Sequence, residues 1–130
     1  MQITNDSFVA LSDHWWNIGG ITNITYLKNK KQLISFDSGP GNYLLDKWVK
    51  TKTSRNFDNK GFFSASGKVN KKILEKYLNN SYFKKKIPKS LDVKDFNLKY
   101  LNKLNFIDGC ATLSMVSIKT IIIGIKKLRK

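Results

Sequence analysis

The chain has 130 residues, which fits one domain, and at 41% hydrophobic composition it suffices to bury a core. Its formal net charge is +15, nearly all of it lysine, with arginine only at Arg55 and Arg129. Base readout favours the guanidinium fork, so this balance speaks against sequence-specific nucleic-acid binding and makes compositional drift the expected source of the charge. One cysteine, Cys110, excludes an internal disulfide and agrees with a reducing compartment.

Met1 to Asp13 shows little pattern, with neither a basic start nor a secretory apolar core, and is expected to be an unpatterned lead-in. Trp15 to Ile18 predicts a short strand closed by a Gly19-Gly20 turn. Ile21 to Leu27, rich in β-branched residues, predicts the next strand, Lys28 to Lys31 a polar turn, and Gln32 to Asp37 a third strand. Together these predict a three-stranded antiparallel meander. From Asn42 the period changes: Leu44, Leu45, Trp48 and Val49 share one helical face, and Pro40 suits the helix entry. Val69, Ile73, Leu74, Tyr77 and Leu78 mark a second helix, ended by Asn79-Asn80. Lys84 to Ser90 reads as a basic loop with a solvated charge run. A short helix is expected over Val93 to Leu101. The last helix is expected to start near Asp108 as its N-cap. Its apolar residues spread around the circumference, which predicts burial on more than one side. Within it Ile118 to Ile125, broken by Lys119 and Thr120, falls short of the about 20 residues a bilayer span needs, so no membrane is expected as a partner.

Two segments could carry chemistry. Asn17-Ile18-Gly19-Gly20-Ile21-Thr22-Asn23 and Phe36-Asp37-Ser38-Gly39-Pro40-Gly41-Asn42 each run from a strand into glycines, where a backbone without Cβ atoms can approach a phosphate. Asp37 at a strand end is placed to act as a general base. Taken alone, a Gly-Gly pair more often just joins a hairpin, and Asp37 serves equally well as a cap of the turn after it. Asp58 and Gly61 read as a structured turn. His14 stands alone, so no protein-built metal site is expected. Trp15, Trp16 and Trp48 read as packing residues and Cys110 as an inert buried thiol.

Further segments follow in order: Phe57-Asp58-Asn59-Lys60-Gly61, Ala65-Ser66-Gly67-Lys68-Val69, Tyr82-Phe83, Pro88-Lys89-Ser90-Leu91-Asp92, Asp95-Phe96 and Asp108 to Ser114. With the two glycine segments they resemble the anhydro-N-acetylmuramic acid kinases, sugar kinases of the superfamily of actin, hexokinase and the Hsp70 ATPase domain. The resemblance implies an α/β fold: a partial ribonuclease-H-like lobe of the actin-like ATPase architecture, antiparallel strands followed by helices, as a single partial domain over residues 1–130. It implies ATP-dependent hydrolysis and phosphorylation of 1,6-anhydro-N-acetylmuramic acid to N-acetylmuramic acid 6-phosphate, in cytoplasmic recycling of peptidoglycan sugars. Asp37 would be the catalytic carboxylate that activates water, with Ser38 standing where the family motif has threonine. Asn17, Gly19, Gly20 and Asn23 would form a phosphate-contacting turn. Ser38, Gly39, Gly41 and Asn42 would shape the second turn near sugar or phosphate. The cofactor would be ATP with Mg²⁺, the metal arriving with the nucleotide, and the partners the anhydro sugar and a second copy in a homodimer, with no nucleic acid. The family's N-terminal phosphate-wrapping segment and its later adenosine segment have no counterpart here, so an internal piece, inactive by itself, is expected. The alternatives from other classes are a non-catalytic basic nucleic-acid-binding domain and an inactive remnant, each keeping only the fold.

Overall fold

The computed structural model describes residues 7–11, 14–29, 32–87 and 89–128. Four strands, β1 (Ser7–Leu11), β2 (His14–Ile18), β3 (Thr22–Asn29) and β4 (Gln32–Gly39), form one antiparallel sheet in the order β1-β2-β3-β4. The expected meander is there, with one strand more. Ser7–Leu11, expected as part of an unpatterned lead-in, pairs along β2 from Ser7↔Ile18 to Leu11↔His14. Its run Phe8-Val9-Ala10-Leu11 lacks alternation, and the neighbouring strand supplies what the local pattern does not. Residues 1–6, 12 and 13 of that lead-in lie outside the described residues, as do Lys30 and Lys31 of the expected polar turn.

β4 also runs beyond its expected end. Pairing continues to Thr22↔Gly39 across a register shift between Thr22 and Asn23, so Asp37 lies within a paired strand and not at its end. Strand residues alternate between faces. Ile18, Ile24 and Phe36 point to one face and pack with Ile121 of the last helix, while Asp37 points to the other.

Helix α1 (Tyr43–Lys52) follows the sheet, then α2 (Phe62–Ser66) behind a 3-10 turn at Asn59–Gly61, then α3 (Lys71–Leu78). The Asn70 side chain caps α3 by accepting from the Ile73 amide at 3.1 Å. The single helix expected over Val93 to Leu101 is instead two 3-10 turns, Val93–Asp95 and Lys99–Leu101. Asp92 Oδ1 accepts from the Lys94 amide and Asn97 Oδ1 from the Lys99 amide, at 2.9 and 3.0 Å. Each Asx contact starts a new tight turn, and Phe96 between them is extended.

The last helix, α4 (Phe106–Leu128), starts two residues before the expected Asp108. Asn105 Oδ1 accepts from the Asp108 amide at 2.9 Å and its Nδ2 donates to Asp108 Oδ2 at 3.0 Å, so Asn105 caps and Asp108 answers from the first turn. The 23-residue helix is long and apolar enough to cross a membrane by length and composition, beyond what Ile118 to Ile125 alone suggested. Half of its most apolar window is buried inside the protein, as in a core helix. One end of α4 closes a larger core with Leu44, Trp48, Val49 and Tyr77, and the other lies on the sheet. The consecutive residues Gly109 to Leu113 are all buried, which covers more than one side of the helix, as expected. Gly109 and Gly124 make it possible: a Cβ at Gly109 would meet the Trp48 indole at 2.6 Å, and one at Gly124 would meet Ile24 and Ser38 at 2.8 and 2.9 Å.

Candidate active site

The register aligns three of the predicted polar residues. Asn17 pairs with Asn23, and Asn23 with Asp37, so the three form a row across β2, β3 and β4. Directly paired residues share a face, and this is the face turned away from Ile18, Ile24 and Phe36. Asn17 is exposed there, while Asn23 and Asp37 are half-buried.

Asp37 is held at every polar atom. Its Oδ1 accepts from Asn23 Nδ2 at 3.2 Å and its Oδ2 from the Leu91 amide at 2.8 Å. The Asp37 amide donates to the Lys89 carbonyl at 3.0 Å, and its carbonyl accepts from the Tyr82 hydroxyl at 2.6 Å. Asn23 is fixed in turn, because its Oδ1 accepts from Ser35 Oγ at 2.9 Å and lies 3.4 Å from Thr25 Oγ1. A carboxylate offers about four lone-pair sites, and these two donors leave room for a water or hydroxyl to be bound and deprotonated. Burial, then Asp37 and Asp95, push the Tyr82 phenol well above its ordinary range. At pH 7 it is therefore a fixed donor. Burial and the neighbouring Lys127 and Lys85 pull the Lys89 ammonium down to about 8.

The two glycine segments form one unit. The Asn42 amide donates to the Gly19 carbonyl at 2.9 Å and the Tyr43 amide to Gly20 at 3.0 Å. The β2–β3 turn is thereby stitched to the start of α1, and two amides at the helix start are engaged by protein carbonyls. A Cβ at Gly41 would lie 2.5 Å from the Gly19 oxygen, so the contact requires glycine there. Gly20 is exposed, with nothing within 4 Å of a Cβ built on it, and it presents bare backbone beside Asn17.

Ser38 and Gly39 point into the protein. Ser38 is buried against Gly124 and donates to the Thr22 carbonyl at 3.4 Å, while a Cβ at Gly39 would strike Thr120 at 2.5 Å. The Ser117 hydroxyl of α4 lies 3.1 Å from the Pro40 carbonyl and 3.3 Å from that of Leu113, and also reaches the Gly41 carbonyl. Asn17, Asn23 and Asp37 thus share a face, Gly19, Gly20, Gly41 and Asn42 share a turn, and the Ser38 side chain joins neither. Tyr82, Lys89, Leu91 and Ser117 escaped the sequence reading as site residues. The signal available for Ser117 was the polar series Ser114, Ser117, Thr120 along an apolar helix. Leu91 acts through its amide and left no side-chain signal.

The other candidates fall elsewhere. Asp58 accepts from the Phe63 and Ser64 amides at 2.8 and 2.9 Å and so holds the start of α2, the structured turn expected of it. Trp48 is 4% exposed and donates from Nε1 to the Phe106 carbonyl at 3.0 Å, a packing residue as expected. Side chains of His14, Trp15 and Trp16 lie outside the described residues. Among the described residues no group of three His, Cys, Asp or Glu side chains could hold a metal ion.

One braced carboxylate on a polar sheet face thus lies in the same sheet as a glycine-built turn. The chain belongs to the anhydro-N-acetylmuramic acid kinase family, whose description matches residues 7–128. It is 41% identical over 106 residues to an anhydro-N-acetylmuramic acid kinase of Brucella canis, covering 82% of this chain and 28% of the relative. Against the kinase of the same name from Methylobacterium nodulans it is 37% identical over 105 residues, 81% of this chain and 28% of the relative. Against that from Rhizorhabdus wittichii it is 38% identical over 113 residues, 86% and 31%. The chain therefore spans under a third of the length of these relatives.

Proposed function

We propose that this chain is the base-bearing part of an ATP-dependent kinase that hydrolyses and phosphorylates 1,6-anhydro-N-acetylmuramic acid, giving N-acetylmuramic acid 6-phosphate. The observation that carries the reading is Asp37, braced at both carboxylate oxygens on an open polar face, in a chain of this family. In this reading Asp37 takes the proton from the water that opens the 1,6-anhydro ring, and the freed O6 becomes the phosphoryl acceptor. Asn23 keeps the carboxylate turned toward that water. Asn17 and the bare Gly19-Gly20 backbone approach the phosphates, and Asn42 and Gly41 hold that turn in register. Ser38 and Gly39 contribute by seating the turn on α4.

ATP with Mg²⁺ supplies the phosphoryl group. The residues present suit a phosphate at the exposed Gly20 edge, where no Cβ intrudes. Phosphoryl transfer needs positioning and charge stabilisation more than covalent help, and this part of the chain contributes positioning. The finer fold reading is a partial ribonuclease-H-like lobe of the actin-like ATPase architecture, in a cytoplasmic enzyme that works as a homodimer in peptidoglycan recycling.

The test is Asp37→Asn in the complete enzyme carrying this segment. Turnover should fall at least about a hundredfold, the scale of a lost general base, with nucleotide binding little changed. Near-normal turnover would remove Asp37 from the mechanism.

A further inference from the structure

We infer that Tyr82 and the Lys89–Leu91 segment form a positioning clamp for the Asp37 carboxylate, coupling the basic loop after α3 to the chemistry. The inference rests on the reading of Asp37 as the base.

Among the described residues β4 is an edge strand of the sheet, paired with β3 on one side only. Asn23 and Asp37 are paired residues, yet the Asp37 amide and carbonyl both point away from β3 and bond to Lys89 and Tyr82. That makes Asn23–Asp37 a non-hydrogen-bonded pair, the kind in which side chains come closest, and their side chains do bond. The free edge at Asp37 is thus closed by a segment more than forty residues later in the chain.

The contacts form a closed circuit. Tyr82 Oη donates to the Asp37 carbonyl at 2.6 Å, the Asp37 amide donates to the Lys89 carbonyl at 3.0 Å, and Lys89 Nζ donates to the Tyr82 carbonyl at 2.9 Å. The Lys89 ammonium also lies 4.3 Å from the centre of the Tyr82 ring. Two residues on, the Leu91 amide reaches Asp37 Oδ2 at 2.8 Å. Leu91 and Phe96 are buried, and Phe96 packs edge-on to Tyr82, so the clamp is anchored in the larger core. The placement of the Leu91 amide, and with it the carboxylate plane, therefore depends on Tyr82 and Lys89. Tyr82 bonds to the Asp37 backbone carbonyl and Lys89 to the Tyr82 carbonyl, so both act on the carboxylate through the backbone. Lysines 84 to 89, expected as a solvated run, thus include one whose side chain is folded inward.

The experiment uses the complete enzyme carrying this segment. Tyr82→Phe deletes one hydroxyl and keeps the ring. It should lower kcat by about tenfold, within the range that small misplacements produce, and leave KM for ATP unchanged. Lys89→Met should behave alike, and Lys89→Arg, which keeps a donor for the Tyr82 carbonyl, should recover most of kcat. On an Asp37→Asn background Tyr82→Phe should cost little more, because its effect passes through the lost base. Equal losses on both backgrounds, or an unchanged kcat in both Tyr82→Phe and Lys89→Met, would overturn the clamp. If Tyr82→Phe does not fold, the contrast between Lys89→Met and Lys89→Arg decides. A fully active Asp37→Asn enzyme would instead overturn the reading of Asp37 itself, which separates the two failures.

Discussion

Gly41 sits where the two glycine turns meet, and its replacement by alanine is a sharp test of that junction. The new Cβ would stand 2.5 Å from the Gly19 carbonyl oxygen, 2.8 Å from Thr22 Oγ1 and 3.2 Å from the Thr22 amide nitrogen. The first of these is roughly 1 Å inside normal van der Waals contact, against backbone that cannot rotate away. Gly41→Ala must therefore push the β2–β3 turn off the start of α1. The bonds from Asn42 and Tyr43 to Gly19 and Gly20, 2.9 and 3.0 Å long, then stretch or break. Overpacking costs roughly 1–3 kcal/mol and each lost bond about 1 kcal/mol; because the two overlap, the working figure is about 3 kcal/mol. For a domain of this size that lowers Tm by roughly 10 °C. The assay is thermal unfolding followed by far-ultraviolet circular dichroism. Gly20→Ala serves as the control, since its Cβ would meet nothing within 4 Å. That control should stay within about 0.5 kcal/mol of the parent. A parental midpoint for Gly41→Ala, or an equal fall for Gly20→Ala, would refute the stitched-turn argument.

Burial raises the Asp46 carboxyl from 3.8 to about 6, with Lys50 opposing and Asp58 adding. Between those values the folded state keeps a proton that the unfolded chain has released, so this group makes stability fall as pH rises through the window. Asp46→Asn should remove that slope, and urea midpoints measured across it with an unchanged slope would count against the assignment. Burial, with Asp58 adding, pushes the Cys110 thiol up to about 12, so the folded chain should resist thiol reagents near neutral pH and react once denatured. Prompt labelling of the folded protein would contradict this. Binding to nucleic acid should be weak and vanish as salt rises, since scattered lysines offer counterion release alone. Tight, sequence-selective binding in a filter or mobility-shift assay at physiological salt would restore the basic-domain alternative.

Local chemistry was legible wherever a residue's neighbours in sequence dictate its state. The period of Leu44, Leu45, Trp48 and Val49 set α1, and the stripe through Ile73, Leu74 and Tyr77 set α3, because a helix face is written in spacings of three and four. The glycine segments announced turns, and Asp37 stood out beside one of them. What sequence spacing could not contain is which distant groups close on these. β1 was missed because a short apolar run becomes a strand only when a partner offers its ladder, and Asp37 was placed at a strand end because pairing through Gly39 depends on Thr22 across the sheet. The opposed orientations of Asp37 and Ser38 follow from pleat and from α4 lying on one face. The donors that hold Asp37 come from Asn23 on β3 and from Tyr82 and Leu91 in a segment more than forty residues later. Hydrogen bonds and van der Waals contacts act over a few ångströms in space regardless of separation along the chain, so only the folded arrangement decides which of them form.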